Sequence, residues 1–220
     1  MKLIIGNKNY SSWSLRPWLL LKHFDISFEE IRIPLFTGDF EATLARYTDA
    51  GKVPVLHDAG LAVWDSLAIC EYISEQYLDG RGWPADTTAR AEARSASAEM
   101  HSSFMQIREQ MPMNCRDQRE IDFSAAILSE IQRVDALWQT LRAKYRSEVD
   151  WLCGGFSIVD CMYAPMASRF YSYRPELSST GQAYVQRIID HPQMRLWYRQ
   201  ALAEKEIIQQ YQVGREITRR

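Results

Sequence analysis

The sequence predicts an α/β domain followed by an all-helical domain. Short apolar runs alternate with helical patterns over the first 77 residues, and beyond residue 88 apolar residues recur at spacings of three and four. Between these regions the stretch "LDGRGWPADTT" is rich in Gly, Pro and Thr. A length of 220 residues also favours two domains over one. We therefore expect a first domain at residues 1–79, a linker at 80–88 and a helical domain at 89–220.

The first domain is expected to begin with a buried strand and a helix. Residues 2–6, "KLIIG", form a short apolar run that a glycine ends, which indicates a strand. A helix follows to Phe24, with Ser14 as its expected cap and Pro17 in its first turn, where the missing N–H costs little. Alternation of apolar residues then predicts a second strand within residues 28–35.

The remainder of this domain predicts a helix, a hairpin and a further helix. The helix spans residues 40–47, and two β-rich runs at 53–57 and 61–64 flank the turn "DAG". The last helix opens at Ser66 and runs to about Tyr77. The resulting order, β-α-β-α-β-β-α, is that of a thioredoxin-like domain with a small mixed sheet.

The second domain shows helical periodicity throughout, with no convincing strand. Its predicted helices span residues 89–110, 122–145, 157–171, 179–190 and 193–209.

Composition narrows the class of partner. Lys and Arg total 26 and Asp and Glu total 28, so a net charge of −2 disfavours binding to nucleic acid or to an anionic membrane. The four cysteines lack a CxxC pair and do not cluster with the four histidines, which predicts free thiols and no metal site. No apolar run approaches the roughly 18 residues needed to span a bilayer. We expect a soluble, cytoplasmic protein that acts on a small molecule.

Four hydroxyl side chains crowd the junction between the first strand and the first helix. They lie in the stretch "NYSSWSLRPW" as Tyr10, Ser11, Ser12 and Ser14. A helix N-terminus stabilises an anion, and a serine hydroxyl there can donate a further hydrogen bond to a bound thiolate. Serines that only turn the chain and cap the helix would give the same pattern.

Proline begins the β-rich run of "GKVPVL". Proline cannot donate to a strand ladder, so Pro54 belongs at an edge or a turn. A cis bond after Val53 would leave the backbone of that residue facing outwards, where an extended peptide could pair. An ordinary trans proline at an edge strand remains the alternative.

An acid and a serine precede the last helix of the first domain, in "WDSLAICEY". Ser66 can present its N–H and hydroxyl to a carboxylate, while Asp65 can accept from an ammonium group. An α-amino acid head group carries both charges. Helix capping alone would also explain this pair.

With these three features in one N-terminal domain and helices after it, the chain resembles the glutathione S-transferase superfamily over nearly its whole length. The resemblance implies that Pro54 is cis and that the Val53 backbone pairs with the cysteinyl backbone of glutathione. It also implies that Asp65 and Ser66 hold the γ-glutamyl end, and that Lys52 approaches the glycyl carboxylate.

The serine cluster is similar to that of serine-type classes such as zeta, tau and phi. The resemblance implies that Ser11 is the partner of the thiolate, with Ser12 second and Tyr10 third. Trp13 stands where the zeta pattern has a cysteine, which disfavours maleylacetoacetate isomerase activity. Omega and glutaredoxin-like members need a cysteine at the start of this helix, and none is present, so we do not expect thiol–disulfide exchange by a protein thiol at this site.

The second substrate is expected between the two domains, near Tyr10 and Trp13 and against the first long helix of the second domain. His101, Met105 and Arg108 lie on that helix at spacings that can face one groove. The pair formed by His101 and Arg108 suggests an anionic or carbonyl-bearing substrate. A plain apolar core with a surface salt bridge is the alternative.

The leading hypothesis is a glutathione transferase that attacks a small electrophile. A glutathione-dependent cis–trans isomerase, similar to maleylacetoacetate isomerase, and a non-catalytic binding module are the alternatives. The resemblance further implies a homodimer. It also implies a structural role for Asp160 in "FSIVD", which is similar to the Ser/Thr-x-x-Asp box of the family.

Overall fold

The computed structural model describes residues 1–219; Arg220, the last residue of the predicted helical domain, lies outside the described residues. Residues 1–77 form an α/β unit of four short strands and three helices. Its elements are β1 (Lys2–Ile5), α1 (Ser12–His23), β2 (Glu29–Arg32), α2 (Phe40–Leu44), β3 (Val55–Asp58), β4 (Leu61–Trp64) and α3 (Ser66–Tyr77).

The four strands form one mixed sheet in the order β2-β1-β3-β4. Strand β1 is parallel to β2, with Ile4 opposite Ile31, and antiparallel to β3, with Ile4 opposite Val55. The β3–β4 hairpin turns at Ala59 and Gly60, which both have positive φ. This order confirms the predicted α/β class of the N-terminal part.

Helix α1 begins at Ser12, two residues before Ser14, which the sequence predicts as its cap. Ser11 is the N-cap residue, and the Ser14 hydroxyl accepts from the Gly6 N–H at 3.2 Å. The predicted capping role of Ser14 is therefore wrong. The chain turns before Ser12 because the Asn7 carbonyl oxygen accepts from the N–H groups of Tyr10 and Ser11.

The second half of the chain is mainly helical. Its elements are α4 (Thr87–Ser102), α5 (Met105–Gln110), β5 (Asp117–Glu120), α6 (Ala125–Lys144), α7 (Ile158–Tyr173), α8 (Ser179–Asp190), α9 (Pro192–Ala203) and β6 (Arg215–Arg219). The helix predicted at 89–110 is two helices, because Phe104 has a left-handed backbone (φ +63°) that ends one helical path and starts another. The last predicted helix is also shorter, ending at Ala203.

The expectation of no strand in this half is wrong. Strands β5 and β6 pair antiparallel. The Arg119 side chain on β5 donates to the carbonyl oxygens of Gln212, Val213 and Gly214, which directly precede β6. The sequence of β5, "DQRE", contains no apolar residue. Periodicity of apolar residues therefore gave no signal for it.

Helix α7 lies at the centre of the second half and is buried along almost its whole length. It packs against α1, which also contacts α3, so α1 lies where the two halves meet. A capping box begins α7: the Asp160 carboxylate accepts from the Ser157 N–H at 3.0 Å. The same carboxylate accepts from the Leu152 N–H and the Tyr184 hydroxyl, as its predicted structural role requires.

Cys70, Cys153 and Cys161 are buried free thiols, as predicted, and Cys115 is buried as well. Within residues 1–219 no helix is both long enough and apolar enough to cross a membrane. The same residues contain no group of three His, Cys, Asp or Glu side chains arranged to hold a metal ion.

Candidate active site

A cavity of about 830 Å³ lies at the start of α1, between the sheet unit and the helices. Its volume is in the range typical of ligand pockets. The structure brings eleven of the twelve predicted site residues to its wall: Tyr10, Ser11, Ser12, Trp13, Lys52, Val53, Pro54, Asp65, Ser66, His101 and Arg108. Met105 is not among the lining residues, and its side chain is 53% exposed at the start of α5.

Two serine hydroxyls at the start of α1 each have a hydrogen-bond partner behind them. The Ser14 hydroxyl, which accepts from the Gly6 N–H, lies 2.7 Å from the Ser11 hydroxyl. The Ser12 hydroxyl oxygen accepts from the Arg169 Nη2 at 3.3 Å. The hydrogen of the Ser12 hydroxyl is not used in that bond, so it can be donated to a group in the cavity.

The backbone at this helix start adds positive potential. The N-cap side chain of Ser11 makes no capping hydrogen bond to the first turn. The Ser12 N–H donates to the Tyr10 carbonyl oxygen. The N–H groups of Trp13 and Ser14, however, are left uncapped by the Ser11 side chain and keep their partial positive charge for a ligand. This arrangement suits an anion placed beside the two serines.

Tyr10 has a different set of partners from the serines. Its hydroxyl accepts from the Gln212 side chain at 2.9 Å and from the Ile208 N–H at 3.4 Å, and its ring contacts Tyr211. These contacts hold the C-terminal segment against the cavity, where Tyr211 also forms part of the wall. The structure thus gives Tyr10 an anchoring role.

The peptide bond between Val53 and Pro54 is cis, as the resemblance implies. Both residues directly precede β3 and line the cavity, so the backbone of Val53 lies at the cavity wall. Lys52 lies next to them with an exposed side chain. A cation is therefore available at this mouth of the cavity.

Asp65 and Ser66 form the start of α3, and each has a partner. Asp65 has φ +74°, and its Oδ1 accepts from the N–H groups of Leu67 and Ala68. Its Oδ2 lies 3.0 Å from the His101 Nε2. Asp65 therefore caps α3 with one carboxylate oxygen, while its other oxygen faces a side chain that lines the cavity.

The Ser66 hydroxyl is supported by a buried arginine that sequence reasoning missed. The Arg16 Nη1 donates to the Ser66 Oγ at 3.1 Å, although the Arg16 side chain is fully buried. Its Nε and Nη2 have no hydrogen-bond partner, and its guanidinium lies 4.2 Å from the Trp13 ring centroid. An arginine on a helix normally faces solvent, so its residue type alone gave no signal.

Arg169 is the second missed residue. It lies on α7, 5% exposed, and lines the cavity beside Ser12. The helical pattern of residues 157–171 predicted the helix but could not show that its partner is the start of α1, 157 residues away. Only the packing of α7 on α1 brings this cation to the site.

Three guanidinium groups converge at the site, those of Arg16, Arg108 and Arg169. Burial first, and then the neighbouring guanidiniums, lower the pKa of Arg16 and Arg169 to about 9. Burial also lowers the pKa of Arg108. All three remain cationic at pH 7, so the wall of the cavity carries positive charge.

His101 is neutral at pH 7. Burial lowers its pKa more than the nearby Asp65 carboxylate raises it, and two arginines lower it as well. Its Nε2–H therefore donates to Asp65, as a hydrogen bond rather than as a full ion pair.

The chain matches two family models that follow one another along the sequence. Residues 10–76 match the model described as "Glutathione S-transferase, N-terminal domain", and residues 105–200 match "Glutathione S-transferase, C-terminal domain". Together these matches cover most of the chain and include the start of α1 and both buried arginines.

The chain belongs to the glutathione S-transferase superfamily.

Curated relatives of this transferase share about a quarter of their residues with it. Glutathione S-transferase GstB from Escherichia coli strain K12 is 26% identical over 210 residues, which cover 88% of this chain and 96% of the relative. A probable maleylacetoacetate isomerase from Caenorhabditis elegans is 26% identical over 164 residues, covering 72% and 75%. The predicted family and enzyme class, a glutathione transferase, are thereby confirmed.

Solved structures share the fold at lower identity. A glutathione transferase homolog from Burkholderia GL BGR1 with bound glutathione superposes with a TM-score of 0.68 at 22% identity, covering 91% of this chain and 97% of that one. Glutathione S-transferase unclassified 2 from Bombyx mori gives a TM-score of 0.72 at 17% identity, covering 92% and 94%. These likenesses confirm the fold class.

Proposed function

We propose that the transferase activates the thiol of glutathione with a serine hydroxyl at the start of α1, for attack on a small electrophile. The observation that carries this proposal is a pair of serine hydroxyls with partners behind them. Ser14 lies behind Ser11, and Arg169 donates to Ser12. Either hydroxyl can donate to a thiolate sulfur in the cavity. Ser11 and Ser12 are the two candidates.

Glutathione would lie across the cavity as an extended tripeptide. The γ-glutamyl carboxylate would bind the Ser66 hydroxyl, whose oxygen already accepts from Arg16, and its ammonium would bind Asp65. The cysteinyl backbone would pair with that of Val53. The glycyl carboxylate would lie near Lys52, which is exposed at the same wall.

The energy required for thiol activation is modest. A thiol with a pKa of about 8.5 is only about 3% ionised at pH 7, whereas a pKa of about 6.5 makes it about three-quarters thiolate. This shift of about two units corresponds to about 2.7 kcal/mol. One hydrogen bond to the charged sulfur, together with the helix N-terminus, can supply that energy.

The reaction is a nucleophilic addition or substitution. The thiolate sulfur forms a bond to an electrophilic carbon of the second substrate, and the electron pair leaves with the departing group or passes to the rest of a conjugated system. That substrate would lie against Trp13, His101 and Arg108, which line the same cavity. The protein contributes orientation and exclusion of water.

Glutathione titration tests this proposal directly. Calorimetry at two pH values, in buffers of different ionisation enthalpy, should show binding that releases a proton near neutral pH. Binding without proton release would exclude thiolate stabilisation. No binding at all would favour a non-catalytic module that keeps the fold.

A glutathione-dependent cis–trans isomerase is the second candidate, because one relative is named a probable maleylacetoacetate isomerase. In that reaction the sulfur adds to the double bond and then leaves. Product mass distinguishes the two: a conjugate gains the mass of glutathione, while an isomer keeps the mass of the substrate.

We also propose that two copies form a two-fold homodimer in the cytoplasm. Strand β4 is an edge of the sheet, and its Leu61 side chain is 49% exposed, which supports an apolar contact there. Sedimentation should give twice the chain mass. A mass near 25.6 kDa would contradict the dimer.

A further inference from the structure

Two guanidinium groups line the cavity beside the start of α1, those of Arg108 and Arg169. Arg169 donates to the Pro165 carbonyl oxygen and to the Ser12 hydroxyl, while its buried Nε has no partner. Arg108 is half-buried and uses its Nε and Nη2 to bind carbonyl oxygens at the end of α4, those of Met100, His101 and Ser103. Both groups therefore retain donor capacity at the cavity wall.

No carboxylate lies within ion-pair distance of these guanidiniums in the part of the chain that the structure describes, although Asp65 acts on Arg16 and Glu130 acts on Arg108 from further away. The ion pairs within 4.0 Å among residues 1–219 do not include Arg16, Arg108 or Arg169. A buried cation without a partner is costly to a folded protein, since it loses its hydration and gains no counter-charge. An anion that enters from the cavity would therefore stabilise this cluster.

Glutathione alone does not account for this cluster. In the arrangement proposed above, its γ-glutamyl carboxylate lies near Ser66 and Arg16, and its glycyl carboxylate lies near Lys52. The guanidiniums of Arg108 and Arg169 then have no carboxylate of glutathione to bind. They instead lie where the second substrate would enter, beside Ser11 and Ser12, the two candidate partners of the sulfur.

We propose that Arg108 and Arg169 form a subsite for an anionic group, such as a carboxylate, on the second substrate. This inference rests on the proposed function, because it assigns the class of the electrophile. A planar guanidinium binds a carboxylate through two parallel hydrogen bonds, which fixes its orientation. The Trp13 ring lies 4.9 Å from the Arg108 guanidinium and supplies an apolar wall for the carbon skeleton.

Two isosteric conjugates of glutathione test the proposal by calorimetry. S-(2-carboxyethyl)glutathione and S-(2-carbamoylethyl)glutathione have the same shape near the sulfur and differ in the negative charge. We expect the carboxylate conjugate to bind the wild-type protein about tenfold more tightly or better, the effect of one charge-assisted hydrogen bond. Arg108→Gln should remove most of this preference and leave the affinity for the amide conjugate nearly unchanged.

A matched control separates this effect from a general loss of positive charge. Arg133 lies on α6, 54% exposed, and pairs with Glu99 outside the cavity wall. Arg133→Gln removes the same charge and should retain the full preference. Arg169→Gln is the second cavity variant. If Arg169→Gln fails to fold, the result for Arg108→Gln alone decides.

The remaining outcomes contradict the assignment. Equal affinity of the two conjugates for the wild-type protein would overturn the subsite. A preference that survives both Arg108→Gln and Arg169→Gln would overturn the choice of residues. If the amide conjugate also fails to bind, the proposed function itself is wrong and the subsite falls with it.

Discussion

The Arg169 guanidinium on α7 donates a hydrogen bond to the Ser12 hydroxyl oxygen on α1 across 3.3 Å. It joins the helical half of the chain to the proposed site of thiol activation. The Arg16 guanidinium on α1 likewise donates to the Ser66 hydroxyl oxygen at the start of α3, across 3.1 Å, within the N-terminal part of the chain. Two buried cations thus lie behind two serines, each at a helix N-terminus that faces the cavity.

Arg16→Met should separate function from stability. The substitution removes a fully buried cation that has two unpartnered nitrogens, so the free energy of unfolding should stay the same or increase. Glutathione should bind about tenfold more weakly, because Ser66 loses the charged donor behind its hydroxyl. Urea unfolding and calorimetry measure the two effects, and unchanged affinity would contradict the role of Arg16.

Asp65→Asn should distinguish head-group binding from helix capping. Asparagine caps a helix as well as aspartate does, so the melting temperature should change little. The loss of negative charge should weaken glutathione binding by about five- to tenfold if Asp65 accepts from its ammonium group. Asp65→Ala is the comparison, since it should lose both the cap and the affinity. Full affinity in Asp65→Asn would leave capping as the only role.

Asp160→Ala should destabilise the fold strongly. Its buried carboxylate accepts from the N–H groups of Leu152 and Ser157 and from the Tyr184 hydroxyl, and all three donors would lose their partner. We expect a cost of about 3 kcal/mol or more in the free energy of unfolding. Asp190→Ala, which removes an exposed partner of Arg195, is the matched control and should cost little. Equal effects of the two variants would refute the structural role of Asp160.

Two histidines should make the transferase less stable in acid. His191 accepts from the Gln193 N–H through Nδ1, and its Nε2 lies 2.9 Å from the His23 Nδ1, an arrangement that requires neutral rings. Burial first, and then His23 and Arg187, lower the pKa of His191 to about 4, and burial lowers that of His23 although Asp25 opposes it.

The sign of this pH dependence follows from the lowered values. Because the unfolded chain titrates near pH 6.5, it binds more protons than the native state between about pH 6.5 and pH 4. Stability should therefore fall as the pH falls through this window. His191→Asn keeps a capping residue but cannot titrate, and it should reduce the slope of unfolding free energy against pH. A slope equal to that of the wild-type protein would contradict the assignment.

The sequence was sufficient for features that depend on local pattern. The hairpin around Ala59 and Gly60 and the thioredoxin-like order follow from strand and turn signals, and three short motifs pointed to the residues that now line one cavity. The sequence was insufficient for features that depend on packing between distant parts of the chain. Arg169 and the strand β5 have no local signature, because the first depends on α7 meeting α1 and the second on pairing with a segment about 100 residues away.

The central claim is that a serine at the start of α1 stabilises the glutathione thiolate. The most direct measurement is the pKa of bound glutathione, obtained by titrating the ultraviolet absorbance of its thiolate in the wild-type protein and in Ser11→Ala, Ser12→Ala and Ser14→Ala. We predict a pKa about two units below the ordinary value of about 8.5 in the wild-type protein, and a rise of at least one unit in one of the first two variants. Ser14→Ala should raise it only if Ser11 is the donor, since Ser14 lies behind Ser11 alone. A wild-type pKa near 8.5, or one that neither Ser11→Ala nor Ser12→Ala changes, would contradict the claim.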